Sequence, residues 1–184
     1  MKDVENTLSD ELKEQLNIAT LFHGLLFAYQ KTARNILGSG SEVFVQPTLD
    51  ILARISEKQD SWLFKHHSME EAANAFLNML LKAKAIKSFC FKKTGREKYV
   101  LNIDGCVWAK HIHKELQPRD ATCPYALVIM AIYRKYSGEK VEETESRYME
   151  EGTETEIRPL FAAPASLETG ILEMNSNQPL KNKS

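Results

Sequence analysis

The spacing of apolar residues changes along this chain, and that change constrains the fold more than any other feature. Up to Ala83 they recur three or four positions apart, the spacing of amphipathic helices. From Ala85 the period becomes two, and a turn at residues 94–96 separates two such stretches, which predicts a β-hairpin. A second alternating pair, Val141 to Tyr148 and Thr153 to Phe161, predicts another hairpin.

Helices are predicted before the first hairpin. Residues 5–37 fit either one long bent helix or two helices joined near Asn17, and a shorter helix around Val45 follows. Ser68 and Glu71 have the spacing of a capping box, which predicts the start of a third helix.

Two further helices are predicted between the hairpins, over Gly105 to Lys114 and Pro124 to Tyr136, with Gly138 ending the second. The chain is therefore expected to be an α+β protein, in which N-terminal helices pack on an antiparallel sheet of two hairpins. We expect one domain over residues 1–162 and a flexible tail over 163–184, whose sequence is polar and has no sustained period.

Composition excludes several classes of protein. A net charge of -1 gives no reason to expect a nucleic-acid partner. The longest apolar stretches have 11 and 9 residues, whereas a transmembrane helix needs about 20. Three cysteines, an odd number, without a charged and then apolar N-terminal stretch, favour a cytoplasmic protein over a secreted disulfide-linked one.

Residues 105–126 contain two cysteines and two histidines, the side chains that bind zinc. The C-x2-C spacing of a zinc finger is absent. On a helix His111 and His113 lie about 200° apart, so both cannot bind one ion. The predicted metal ligands are therefore Cys106, His113 and Cys123, and the predicted cofactor is zinc.

Two other interpretations of these residues stay open. Cys123 precedes Pro124 at a predicted helix start, where the helix dipole stabilises a thiolate, so a nucleophile with His111 or His113 as its base is one alternative. The other is that Cys106 and Cys123 are ordinary buried residues.

Three further features have structural interpretations. His23 is expected to be a core histidine, because it lies within an apolar helical stretch. Cys90 is expected to pack beneath a helix. The acidic residues at 142–151 are expected to form a solvated strand face.

The second half of the chain resembles a known family. The segment VEETESRYMEEGTETEIRPL, preceded by LNIDGCVWAKHIH and TCPYAL, is similar to the 4-vinyl reductase-type domain of archaeal and bacterial hydrocarbon-binding proteins. The similarity covers about residues 85–161 and includes Glu145-Ser146 and Gly152 of the family motif. Tyr148 and, approximately, Glu156 stand where the family has cysteines.

This resemblance implies a fold shared with the TRAPP vesicle-tethering subunits, a homodimer, and binding of a small hydrophobic ligand. The residues agree with a binding protein, because the chain has no phosphate loop, no G-x-S-x-G motif and no dinucleotide fingerprint. Phe89, Phe91, Trp108 and Tyr125 are the predicted pocket residues. We therefore expect a cytoplasmic binding or sensor domain rather than an enzyme. The alternatives are a cysteine-dependent enzyme and a ligand-free scaffold subunit.

Overall fold

The computed structural model describes residues 2–37, 42–58, 64–94, 98–109, 112–118 and 120–160, with the side chains of 2–17, 19 and 42 outside the description. The predicted tail lies beyond these ranges. The α+β prediction is confirmed. The elements are α1 Lys2–Leu37, α2 Glu42–Lys58, α3 Met69–Lys82, β1 Ser88–Lys93, β2 Tyr99–Asp104, a 3₁₀ turn His113–Glu115, α4 Pro124–Ser137, β3 Lys140–Met149 and β4 Gly152–Leu160.

The four strands form one antiparallel sheet in the order β1-β2-β4-β3. Its inner face is buried and includes Leu101, Ile103 and Ile157. Its outer face is polar, as pairs such as Arg158 with Glu142 at 2.8 Å show. A register shift between Glu143 and Glu145 interrupts the alternation on β3.

α4 lies at the centre of the fold. It contacts β3 and β4 on one side and α2 and α3 on the other. Its sequence is apolar around most of its circumference because both sides are covered, and Ile129, Met130 and Ile132 are nearly inaccessible. Gly138 ends the helix at φ 72°, a left-handed conformation that favours glycine.

The predicted helix over Gly105 to Lys114 is wrong. Gly105 has φ 61°, and the next two N–H groups donate to distant carbonyls, Cys106 to Glu151 at 2.8 Å and Val107 to Ala85 at 3.1 Å. Because these bonds tie the segment to other parts of the fold, the described residues form turns and the short 3₁₀ turn instead. Between the hairpins, the described chain has α4 as its one α-helix.

α1 is one helix rather than two, and its 36 residues span about 54 Å. Among its described side chains, His23, Phe27 and Gln30 are buried. No helix in the described ranges is both long enough and apolar enough to cross a bilayer. We call the opposite side, which is apolar and exposed, the outer face of α1: Ile18, Leu21, Phe22, Leu25, Tyr29 and Ile36.

Candidate functional site

A cluster of aromatic and imidazole rings lies beneath α1. His23 and Phe27 come from α1, Trp108 and His113 from the segment after β2, and Tyr148 from β3. The ring centroids of His23 and His113 are 6.2 Å apart, those of His23 and Trp108 5.4 Å, and those of His113 and Tyr148 5.0 Å. Phe27 packs edge-on against Tyr148 at 5.5 Å. We call these five residues the α1 cluster.

His113 is fixed by the turn between β3 and β4. Its Nδ1 lies 3.1 Å from the carbonyl oxygen of Met149 and 2.9 Å from that of Gly152. Because a carbonyl only accepts, Nδ1 must carry the hydrogen, which leaves the lone pair of the neutral ring on Nε2. Burial lowers the pKa of His113, so the neutral ring predominates at neutral pH.

His23 is buried, with 6% of its surface exposed, as the sequence predicted. Its Nε2 has no hydrogen-bond partner among the described residues. Burial lowers the pKa of His23 to about 4, and the neighbouring His113 lowers it further in the same direction. The α1 cluster therefore holds two neutral imidazoles from positions 90 residues apart in the chain.

A polar seam holds α1 against the segment that leads into α4. The side-chain amide of Gln30 donates to the carbonyl of Thr122 at 3.1 Å and accepts from its N–H at 2.8 Å. Arg34 donates to Thr122 Oγ1 at 2.7 Å and pairs with Glu143 at 2.5 Å, where the Glu143 side chain is 1% exposed. Thr122 Oγ1 also donates to Glu143. The buried side of α1 is thus hydrogen-bonded directly to Thr122, just before α4.

The predicted metal ligands do not form one compact group. Within the described residues, no three or more His, Cys, Asp or Glu side chains are arranged to hold a metal ion. His113 belongs to the α1 cluster, whereas Cys106 and Cys123 lie near Tyr125, whose pKa is raised by burial and then by both thiols. The zinc site at these three residues stays a prediction, and His111 lies outside the described residues.

The expectation of a stabilised Cys123 thiolate is wrong. Cys123 does precede α4, but it is buried, and burial raises the pKa of its thiol to about 11. Burial also raises the pKa of Cys106. Desolvation of the charged form outweighs the helix dipole here. A protonated buried thiol is a poor nucleophile, so burial argues against Cys123 as the nucleophile of the enzyme alternative.

The four predicted pocket residues divide between two aromatic groups. Trp108 and Tyr125 are in contact, with ring centroids 5.6 Å apart, and Trp108 also belongs to the α1 cluster. Phe91 instead stacks on Tyr99 at 5.6 Å, and Phe89 is half-buried on the same strand.

The outer face of the sheet carries a groove of a different character. Its volume is about 400 Å³, and it is lined by charged and polar side chains. Several of these charges pair with one another, Lys98 with Glu156 and Arg147 with Glu145 and Glu154. Cys90, expected to be packed beneath a helix, is exposed, because Phe89 and Phe91 take the inward positions of β1. The groove therefore offers few apolar contacts to an apolar ligand.

The polar seam and the contact between His23 and His113 were not predicted from the sequence. The signal was present in α1, where His23, Phe27, Gln30 and Arg34 recur at intervals of four, three and four. That spacing defines one helical stripe, and three polar residues on it indicate a buried polar contact rather than an aliphatic core.

Neither a scan against protein-family models nor a comparison with curated proteins finds a match for this chain. The fold and the cluster define an α+β domain with a long helix docked over buried imidazole and aromatic rings. The resemblance to 4-vinyl reductase-type domains stays a prediction from the motif around Glu145-Ser146 and Gly152.

Proposed function

We propose that this protein is a cytoplasmic binding or sensor domain that acts as a homodimer, with a small ligand at the α1 cluster. The observation that carries the proposal is the two-sided character of α1. One side docks on buried rings and a polar seam, and the other side presents an exposed apolar surface.

The inner side of α1 supports ligand binding. Ligand sites are mostly apolar and aromatic, with a few polar groups that fix orientation. Phe27, Trp108 and Tyr148 supply the rings, and His23 and His113 supply two neutral nitrogens. Trp108 is half-buried, so the cluster reaches the surface beside it. The hydrophobic ligand implied by the family resemblance suits the same chemistry.

The outer face of α1 supports association with a second copy. Its six side chains lie within about 100° of the helix circumference. Phe22 is 66% exposed, Tyr29 70% and Ile36 76%. Together the six expose on the order of 800 Å² per protomer, which is what each partner buries in an interface of standard size. A patch of this size is unusual on a monomeric protein.

The polar seam links the proposed ligand site to the proposed dimer interface, because α1 takes part in both. α1 contacts the α1 cluster through His23 and Phe27, and two turns later it holds Thr122 through Gln30. A ligand that binds one position of α1 better than another shifts the population toward that position. A second copy bound to the outer face would then contact α1 in its shifted position. The enzyme alternative has no comparable support, since Cys123 is buried and its pKa is raised.

Native mass spectrometry of the purified 184-residue chain tests the proposal. We expect a dimer, and a reproducible mass excess that disappears on denaturation. A Trp108→Ala variant should lose the excess and keep the dimer, because Trp108 lies in the cluster and away from the outer face. A monomer without bound mass would contradict the proposal. A stable complex with a different protein, without ligand, would favour the scaffold alternative.

A further inference from the structure

We infer that His23 and His113 form a two-coordinate site for a soft monovalent metal ion, Cu(I) under reducing conditions, with Ag(I) as its redox-inert analogue. This inference rests on the proposed ligand-binding role of the α1 cluster and names a ligand for it. It differs from the zinc site predicted at Cys106, His113 and Cys123 in its metal, in its coordination number and in the use of His23.

Both imidazoles are in the form that binds metals. A metal takes the lone pair of a neutral ring, and a histidine ligand typically donates its other N–H to a carbonyl or carboxylate. His113 does this through Nδ1–H to Met149 and Gly152, which leaves Nε2 for an ion. His23 has a buried Nε2 without a partner among the described residues. A buried nitrogen of this kind needs an explanation, and an ion supplies one.

The distance between the rings favours a linear arrangement. With metal–nitrogen bonds of about 2 Å, two rings bound through facing nitrogens would have centroids roughly 6 Å apart, and two ligands at a tetrahedral angle roughly 5 Å. The observed centroid distance is 6.2 Å, with the rings tilted by 32°. Closed-shell Cu(I) and Ag(I) accept two nearly opposed donors, whereas zinc takes four in its structural sites.

The surroundings favour a single positive charge. The cost of moving an ion into a medium of low dielectric constant grows with the square of its charge, so a divalent ion costs about four times as much. The rings of Phe27 and Trp108 carry no charge, and Glu143, the buried carboxylate that acts on Tyr148, already pairs with Arg34. The faces of aromatic rings attract a cation, and Trp does so most strongly.

The three cysteines are the competing soft ligands, and each can be separated from the proposed site. Cys90 is exposed and would take up Ag(I) at the surface, so the experiment uses the Cys90→Ser chain. Cys106 and Cys123 are buried, and burial raises the pKa of both thiols, so a metal must first displace their protons. Cys106→Ala and Cys123→Ala serve as matched variants.

The experiment titrates the 184-residue Cys90→Ser chain with Ag(I) in chloride-free buffer and with Cu(I) against a chromophoric chelator. We expect one equivalent to bind, and His23→Leu and His113→Asn each to weaken binding about 100-fold or more, since each removes one of two donors. Asn at 113 keeps a donor for the carbonyls that His113 contacts. Cys106→Ala and Cys123→Ala should change affinity by less than about threefold, since neither residue belongs to the proposed site.

A measurement without histidine substitutions guards against loss of folding. In the ¹⁵N-labelled Cys90→Ser chain, the Nε2 resonances of both histidines should shift together and saturate at one equivalent of Ag(I). Absence of binding, shifts of only one ring, or loss of binding in the cysteine variants alone would overturn the inference. A co-purifying organic ligand without metal binding would overturn it too and leave the proposed function standing. A monomer without any bound ligand or metal would overturn both this inference and the proposed function.

Discussion

At the scale of single residues, burial is the largest cause of the pKa shifts of the buried cysteines and histidines. Cys123 stands where the helix dipole should favour a thiolate, yet desolvation raises its pKa to about 11. The same physics makes His23 and His113 neutral and therefore available as donors. Burial thus argues against a cysteine nucleophile and in favour of imidazole ligands within one small region.

Thiol labelling tests this assignment. At pH 8 a thiol with a pKa of about 11 has roughly one thiolate in a thousand molecules, and its burial also blocks reagents. Iodoacetamide should therefore modify Cys90 alone in the native protein, with Cys106 and Cys123 reacting only after unfolding. The native Cys90→Ser chain is the control and should remain unlabelled. Rapid modification of Cys123 would restore the enzyme alternative.

The buried pair of Arg34 and Glu143 gives a second prediction. Their side chains are 15% and 1% exposed. Arg34→Met should lower the free energy of unfolding by about 3–5 kcal/mol, because it leaves a buried carboxylate without its cation. Arg34→Met combined with Glu143→Leu should recover part of that loss.

Denaturant unfolding measures both variants, and a surface pair provides the comparison. Arg158 and Glu142 are 54% and 35% exposed, so Arg158→Met should cost no more than about 1 kcal/mol. Equal losses for Arg34→Met and Arg158→Met would show that the polar seam does not anchor α1.

At the scale of elements, the turn between β3 and β4 positions the candidate site. Its carbonyls at Met149 and Gly152 orient the ring of His113, and the carbonyl of Glu151 binds the N–H of Cys106. The segment after β2 is therefore held by a turn that lies more than 30 residues later in the chain. A substitution that moves this turn should therefore displace His113 within the α1 cluster.

Two glycine substitutions test this relation. A Cβ at Gly152 would lie 2.2 Å from the carbonyl oxygen of Ile103, which must then move. Gly152→Ala should lower the free energy of unfolding by about 1–3 kcal/mol and displace His113. Gly24→Ala is the control, because its Cβ would meet Ile112 Cδ1 at an ordinary 3.6 Å. Replacing a helical glycine there should stabilise the protein by about 0.5–1 kcal/mol.

Urea unfolding gives the stabilities, and histidine ¹⁵N spectra report the ring of His113. If Gly152→Ala left both unchanged, the turn would not be what positions the imidazole.

Elements with local signals were predictable from the sequence. The N–H of Glu71 donates to Ser68 Oγ at 3.1 Å, as the capping-box spacing predicts for the start of α3. α4 begins at Pro124 and ends before Gly138, both strong local signals. The segment from Gly105 was not predictable, because its backbone bonds to Glu151 and Ala85 are made across the fold.

The candidate site shows the same limit. Cys106, His113 and Cys123 are close in sequence, and short spacing suggested a common site. The structure places the ring of His113 beside that of His23, because α1 packs against the segment after β2. No local pattern encodes a contact across 90 residues. Only the stripe of His23, Gln30 and Arg34 on α1 indicates, from the sequence, that this helix packs through buried polar contacts.

At the scale of the whole molecule, α1 has a larger apolar surface than its own domain covers. The buried stripe and the outer face lie on opposite sides of the helix, so the domain can bury only one of them. On the charged outer face of the sheet, side chains form ion pairs with one another, so that face does not favour association in the same way. Assembly is therefore expected at α1.

Substitution of Phe22 tests assembly directly. Phe22 is 66% exposed on the outer face, and buried aromatic residues commonly dominate binding energy at interfaces. Phe22→Glu should raise the dimer dissociation constant at least about 100-fold, because a carboxylate would be buried without a partner. The stability of the monomer should change by less than about 0.5 kcal/mol, as is usual for exposed positions. Sedimentation equilibrium over a range of concentrations measures the first quantity and urea unfolding the second.

Met79 on α3 provides the matched control. It is 39% exposed and apolar, but lies on a different helix, so Met79→Glu should leave the dimer intact. Because the proposed interface is apolar, the dimer should also persist in about 1 M salt, where exposed ion pairs are screened. Dissociation in salt, or dissociation by Met79→Glu and not by Phe22→Glu, would place the interface elsewhere. A wild-type chain that stays monomeric at every concentration would contradict the proposed homodimer.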